Sequence, residues 1–176
     1  MAMEAYIETG RLILRELLPT DAEGMFELDS DAEVHRFLGN QPVKTIEESR
    51  ETISVIRQQY IDFNIGRWAV IDKATGNFMG WAGLKFMTDT RNGHRNFHDV
   101  GYRLIKRYWG KGYATEAAIA SIKYGFDGLE LDEIYGMADV DNIASQKALQ
   151  KSGLIYIENF ELNGTPHCWF KITRLP

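Results

Sequence analysis

The chain has 176 residues, of which 44% are hydrophobic, 12% aromatic and 26% charged, and this balance excludes a disordered, collagen-like or membrane-embedded polypeptide. Twenty Lys and Arg against 25 Asp and Glu give a net charge of −5, which argues against non-specific nucleic-acid binding. The single cysteine excludes an intrachain disulfide and a cysteine-clustered zinc site, and with neither a long apolar run nor a basic-then-apolar start the expected location is cytoplasmic, with no membrane partner.

No repeat, low-complexity tract or Pro/Ser-rich linker interrupts the chain, so residues 1–176 are expected to form a single domain, compact from about Thr9 to Thr173. Arg11 to Leu17 (RLILREL) predicts a first strand, closed by Pro19. Three capping-box patterns, Thr20-x-x-Glu23, Ser30-x-x-Glu33 and Thr45-x-x-Glu48, each predict a helix start, because a hydroxyl can accept from a helix-end amide while the glutamate reaches back to the cap. From Arg67 the period becomes that of strands. RWAVID, a turn at Lys73–Asn77 and FMGWAGLKF predict a hairpin; Met87 to Phe97 predicts a polar loop; His98 to Ile105 predicts a fourth strand. The small-residue segment Lys111 to Phe126 predicts a helix, Glu133 to Val140 a fifth strand and Ile143 to Ser152 a last helix ended by Gly153. Leu154 to Leu162, Asn163-Gly164 and Thr165 to Thr173 predict a closing hairpin, since Asn-Gly favours a type I′ turn. The resulting order is a mixed α/β (α+β) sheet protein rather than a regular βαβ alternation or a sandwich.

The segment richest in chemistry is strand–loop–helix, VGYRLI-KRYWGKGYAT-EAAIASIKYGF. Gly110 and Gly112 stand where the strand ends and the helix begins, a place where backbone amides can converge and a ligand can approach closely. With the positive end of the helix behind them they make an anion site, and phosphate is the obvious guest. Lys106, Arg107 and Lys111 add positive charge, and Thr115 offers a hydroxyl. Ala114, Ala117, Ala118, Ser121, Ile122 and Gly125 fall on one face, which lets this helix lie close to a sheet. A P-loop does not fit, because position 105 is Ile and Lys111 is followed by Gly112. A Rossmann fingerprint fits poorly, with Thr115 in the place of its third glycine, although Asp132 follows at a plausible distance.

Arg107-Tyr-Trp-Gly110-Lys-Gly112 resembles the Arg/Gln-x-x-Gly-x-Gly/Ala signature of the GNAT superfamily of acyl-CoA-dependent N-acetyltransferases. The string YWGKGYATEA, with Asp141-Asn142-Ile143-Ala144-Ser145 and Lys151-Ser152-Gly153-Leu154, resembles the branch that includes ribosomal-protein N-terminal acetyltransferases. The resemblance implies a GNAT-like fold: a largely antiparallel sheet of about seven strands, splayed between the fourth and fifth, commonly at a bulge, and flanked by four to five helices. It implies acetyl-CoA as co-substrate, its pyrophosphate on the amides of Arg107, Trp109, Gly110, Lys111, Gly112, Tyr113, Ala114 and Thr115. It also implies a pantetheine arm paired with Arg103, Leu104 and Ile105 like an added strand. Leu104 or Ile105 N–H is then the candidate oxyanion donor, and Asn142 resembles a CoA-contacting asparagine. A tyrosine acid common in these enzymes would fall at Leu149, so Ser145 takes the place of the group that serves the thiol. Asp99 is a base acting through a water, a strand cap, or a group that attracts a cationic substrate; Glu116 is expected to make structural hydrogen bonds.

The implied activity is direct transfer of acetyl from acetyl-CoA to a primary amine, on a protein N-terminus or a small molecule. Its acceptor site would be built from the early helices, the Met87–Phe97 loop and the last hairpin. The alternatives are a non-catalytic acyl-CoA-binding module and a nicotinamide-dependent oxidoreductase; a homodimer stays open. His94-x-x-x-His98 and His167-Cys168 resemble parts of a zinc site, but no metal is expected from so sparse a pattern. Cys168 is expected to be a core residue, no Gly-x-Ser-x-Gly elbow is present, and Trp81, Trp109, Trp169 and the tyrosines either wall an acceptor pocket or fill the core.

Overall fold

A computed structural model describes residues 7–176; the expectation about the chain start falls on residues 1–6, outside them. One eight-stranded sheet runs in the order β1-β2-β3-β4-β5-β6-β8-β7. The strands are β1 (Ile7–Glu8), β2 (Leu12–Glu16), β3 (Trp68–Asp72), β4 (Phe78–Met87), β5 (Phe97–Leu104), β6 (Glu133–Asp139), β7 (Ile155–Leu162) and β8 (Thr165–Thr173). Among the described residues four α-helices interrupt them: α1 (Ala22–Asp29), α2 (Ile46–Phe63), α3 (Tyr113–Asp127) and α4 (Ile143–Lys151). Every neighbouring pair is antiparallel except β5 and β6, which run parallel. No described helix is long and apolar enough to cross a membrane.

The mixed sheet and its helices follow the expected order, with three differences. An eighth strand is present, because the two-residue β1 pairs Ile7 with Leu14 and Glu8 with Ile13, a segment too short to leave a periodic signal. Of the three capping boxes only Thr45/Glu48 forms, with Glu48 N–H donating to Thr45 Oγ1 and Thr45 N–H to Glu48 Oε2. At Thr20 the competitor is Asp21: its Oδ2 accepts from Leu18 N–H at 2.8 Å while its two oxygens also take Arg15, and Thr20 is absorbed into a 3₁₀ turn over Pro19–Asp21. At Ser30 the competitor is Asp31, which accepts from Glu33 N–H at 2.8 Å. Ser30 therefore ends α1 rather than starting a helix, and residues 32–39 remain turns.

Hydrophobic burial divides the chain into two layers around the sheet. On one face Ala117, Ala118 and Ile122 of α3 and Leu149 of α4 pack on Leu12, Leu14, Leu84, Val100 and Leu104. Small residues make this possible: a Cβ on Gly125 would lie 2.8 Å from both Ile134 Cδ1 and Leu84 Cδ1. On the other face Ala22, Met25 and Leu28 of α1 and Ile53 and Ile56 of α2 pack on Ala69 and Ile71. Gly153 takes φ +100 after α4, with Leu154 buried behind it, and Asn163-Gly164 has both φ values positive, as a type I′ turn demands.

What places the site is the join of β5 to its two neighbours. Its register with β4 is unbroken from Gly80↔Leu104 to Met87↔Phe97. With β6 it shares one register pair, Asp99↔Tyr135. Beyond Asp99 the two parallel strands part, and residues 100–104 offer an open edge. The splay forms without the expected bulge in β5.

Candidate active site

The open edge is half of β5's backbone, and strand geometry decides which half. Ile105 N–H donates to Met79 O at 2.9 Å, and Arg103 O points at β4 so closely that a Cβ on Gly80 would sit 2.1 Å from it. Successive residues turn their amides to opposite sides of a strand, so Arg103 and Ile105 serve β4 while Tyr102 and Leu104 face the gap. Of the implied contact set, Leu104 turns its N–H toward the gap while Ile105 N–H is already committed to Met79 O, and Tyr102 shares the open side. The Leu104 carbonyl is occupied, accepting from Trp109 Nε1 at 2.8 Å.

Directly beyond lie the two glycines of the loop. Gly110 and Gly112 take φ +72 and +80, the left-handed region that glycine enters without penalty. Gly112 is the N-cap of α3, no side chain caps that end, and the first intrahelical bond runs from Glu116 N–H to Gly112 O at 3.0 Å. The amides of Gly112, Tyr113, Ala114 and Thr115 therefore have no acceptor inside the helix. A concave row of such amides at a positive helix end binds anions.

Side chains from the β1–β2 connection, from α1 and the turns after it, and from α3 itself hold this turn. Arg11 donates through Nη1 to Lys111 O at 2.9 Å and through Nε to Glu116 Oε2 at 2.7 Å, and its guanidinium lies 4.2 Å from the Tyr113 ring centroid. Glu116 Oε1 also accepts from Thr9 Oγ1 and from Arg11 N–H. Burial alone would raise Glu116, but these bonds outweigh it and hold the carboxyl below its ordinary range. Its expected structural role is met. The loop cations are engaged as well: Lys106 Nζ pairs with Glu33 at 2.5 Å and Arg107 with Glu27. Both pairs are exposed, where such contacts are worth little, so a polyphosphate can replace those partners.

On the α3/α4 side of the gap Tyr102 and Ser145 meet. The Tyr102 hydroxyl donates to Ser145 O at 2.8 Å and lies 3.1 Å from Ser145 Oγ. Burial pushes this phenol up to about 12, although the bond to Ser145 works against the shift. Asn142 Oδ1 accepts from Ser145 N–H at 3.1 Å as the cap of α4, a bond that does not use its amide nitrogen.

On the opposite side, at the point where β5 and β6 part, stands Asp99. It is 5% exposed, and Arg67 grips it through Nη2 to Oδ2 at 2.6 Å and through Nη1 to its main-chain oxygen at 2.8 Å. Its Oδ1 is buried without a partner. Burial drives the carboxyl above its ordinary value, and Arg67 pulls the other way. The two histidines of the suggested zinc pattern separate: His94 stacks on Trp169 with centroids 5.2 Å apart, while His98 packs against Phe86. Cys168 lies in the main core.

A family model described as acetyltransferase (GNAT) domain matches residues 11–155. The chain belongs to the GNAT acetyltransferase family. Acetyl-CoA-dependent acetyl transfer is the activity of this family, and an open strand edge leading into an uncapped helix start suits a ligand with an amide-bearing arm and a diphosphate. Among GNAT relatives, the chain is 31% identical to the uncharacterized N-acetyltransferase YoaA of Bacillus subtilis, over 92% of this chain and 91% of that one. It is 33% identical to the uncharacterized N-acetyltransferase p20 of Bacillus licheniformis, over 84% and 83%. In fold it is similar to the ribosomal-protein-S5-alanine acetyltransferase from Vibrio fischeri, with a TM-score of 0.77, 18% identity and 97% of each chain covered.

Arg67, Tyr102 and Arg11 were not singled out for these positions by sequence reasoning. Tyr102 carried the one usable signal, a polar-tipped aromatic in alternation with apolar residues just before the glycine loop. Arg67 and Asp99 are 32 residues apart in sequence, and only the β3–β4–β5 register brings them together.

Proposed function

We propose that this GNAT protein transfers acetyl from acetyl-CoA directly to a primary amine, on a protein N-terminus or a small molecule, within a ternary complex. The observation that carries the reading is the continuity of the open Tyr102–Leu104 edge with the uncapped amides of Gly112–Thr115. Those amides, with Lys106, Arg107 and Lys111 beside them, hold the diphosphate, and Trp109 closes the end of the strand edge. Leu104 N–H donates to the thioester carbonyl oxygen, where negative charge grows during attack. Asp99 takes the proton that the ammonium must lose. A carboxyl held above its ordinary range is a better match to that task near neutral pH. Tyr102, protonated across the working range, relays a proton through Ser145 Oγ to the departing thiolate.

Adding acetyl-CoA raises the melting temperature, and adding amines from a panel of peptides, polyamines, amino acids and aminoglycosides then releases free thiol. Stabilisation without thiol release would support a binding module instead. If Tyr102 supplies the proton, Tyr102→Phe lowers kcat about tenfold and leaves the KM for acetyl-CoA within about twofold. Ser145→Ala costs less, because the phenol keeps the pocket's proton even with the relay gone. Equal kcat for wild type and Tyr102→Phe removes that role.

The Asp99 assignment makes a separate prediction in pH. Since burial raises the folded carboxyl, kcat/KM falls as pH drops through a value above the ordinary carboxylate range near 4. Asp99→Asn abolishes that acid limb together with most of the activity. A limb left in place in the variant transfers the base role to another group.

A further inference from the structure

Asp99, Gly101 and Arg103 occupy alternate positions on β5, facing away from α3 and α4, and a strip of buried charge runs over them. Arg67 lies on Gly101: a Cβ there would meet Nη2 at 2.9 Å and Cζ at 3.1 Å. At one end Arg67 holds Asp99. Toward the other, the guanidinium carbons of Arg67 and Arg103 lie 5.3 and 5.0 Å from the same Trp81 ring. Arg103 Nη1 donates to Asp29 Oδ1 at 2.7 Å, and His35 Nε2 lies 3.1 Å from that same oxygen.

The two arginines differ in what they leave over. Arg67 uses both terminal nitrogens, on Gly83 O, Asp99 O and the Asp99 carboxylate. Arg103 uses only Nη1, its Nε is shut from water with no acceptor, and the side chain is 22% exposed. Asp29 engages only Nη1, and it shares that Oδ1 with His35 Nε2. Among the described residues Nη2 has no partner either and, unlike Nε, is open to solvent, so the Nη1–Nη2 end of this guanidinium, lying on an aromatic face, is the part that can take a planar anion. At the Asp99 end of the strip further cations gather. Lys85 and Arg91 join Arg67 in acting on Asp99, and Lys85 is itself held low by burial and then by repulsion from Arg67 and Arg91.

We infer that Arg103 binds a carboxylate of the acceptor, so that the substrate is an amine that also carries a carboxylate, its nitrogen toward Asp99 and its anion over Trp81. This rests on the acetyltransferase reading. Free amino acids and peptide N-termini followed by Asp or Glu are two sources of that one chemistry.

The test is thiol release at saturating acetyl-CoA with matched acceptors: amino acids against their amides, and peptides with Asp or Glu near the N-terminus against the Asn or Gln versions. Wild type favours the carboxylate member in kcat/KM by about 10- to 100-fold, the worth of a charge-assisted bidentate pair. A preference confined to one arm identifies the source. Arg103→Gln brings the ratio to within about threefold of one, and Arg103→Lys, which keeps the charge without the fork, falls between. Equal use of both members by wild type overturns the inference and needs no variant to fold. A preference kept in Arg103→Gln overturns it too. Thiol release without preference leaves the enzyme reading intact, whereas no thiol with any amine removes the reading beneath.

Discussion

Gly80→Ala is expected to lose about 3–5 kcal/mol of stability and nearly all activity, the range reserved for backbone collisions and strain at a fixed position. Gly80 has φ +144, and a Cβ there would lie 2.1 Å from Arg103 O and 2.8 Å from Leu104 Cα. Both are main-chain atoms with no rotamer to turn away, so β4 and β5 must separate at the residues that form the open edge. Gly83→Ala isolates the steric part. Gly83 also has positive φ, +135, but its added Cβ finds its nearest atom, Trp68 N, at 3.4 Å, an ordinary contact. Its cost is backbone strain alone, about 1–3 kcal/mol. Denaturant midpoints for the two variants should therefore differ in the sense Gly80→Ala less stable. Equal midpoints would mean that β5 is not pressed against β4 at Gly80.

That collision explains why the site sits where it does. Because Arg103 O and Ile105 N–H are committed to β4, the intervening Leu104 must turn its amide outward, and the parallel strand that would meet it has already diverged after Asp99. The same alternation sends side chains to opposite faces. Tyr102 goes to the α3/α4 side beside Ser145, and Asp99 and Arg103 go to the α1/α2 side beside Arg67 and Asp29. On the proposed roles, proton donor and proton acceptor would thus stand on opposite sides of one strand, with the Leu104 amide between them.

Sequence legibility followed the range of the interactions. Gly110 and Gly112, the small face of α3, the Thr45 cap and the Asn163-Gly164 turn depend on neighbours within a few residues, and each was readable. Thr20 and Ser30 show the limit of that approach. Their motifs are intact, but Asp21 and Asp31 compete for the same local amides and take them. Which of Leu104 and Ile105 faces the gap turns on a one-residue register, which no composition or motif encodes. The Arg67–Asp99 and Tyr102–Ser145 contacts span 32 and 43 residues and exist only once the sheet is assembled.

Gly112→Val is expected to weaken acetyl-CoA binding by at least about 100-fold, as for the loss of two charge-assisted amide bonds at about 1.5 kcal/mol each. The effect should fall on the ligand more than on the fold. Around Gly112 only Arg11 Nη2 lies within 4 Å of an added Cβ, at 3.5 Å, so the protein itself has room. What a β-branched residue does not tolerate is φ +80. Relaxing that angle rotates the Gly112 and Tyr113 amides out of the concave row, and uncapped amides that no longer converge lose their common anion. Gly164→Val is the matched control, with φ +77 and nothing within 4 Å in the β7–β8 turn. Both variants should lose a similar increment of melting temperature, but only Gly112→Val should lose the further rise that acetyl-CoA gives wild type. Titration calorimetry reads the same difference directly. Wild-type affinity in Gly112→Val would place the diphosphate elsewhere, and with it the direction from which the thioester enters the gap between β5 and β6.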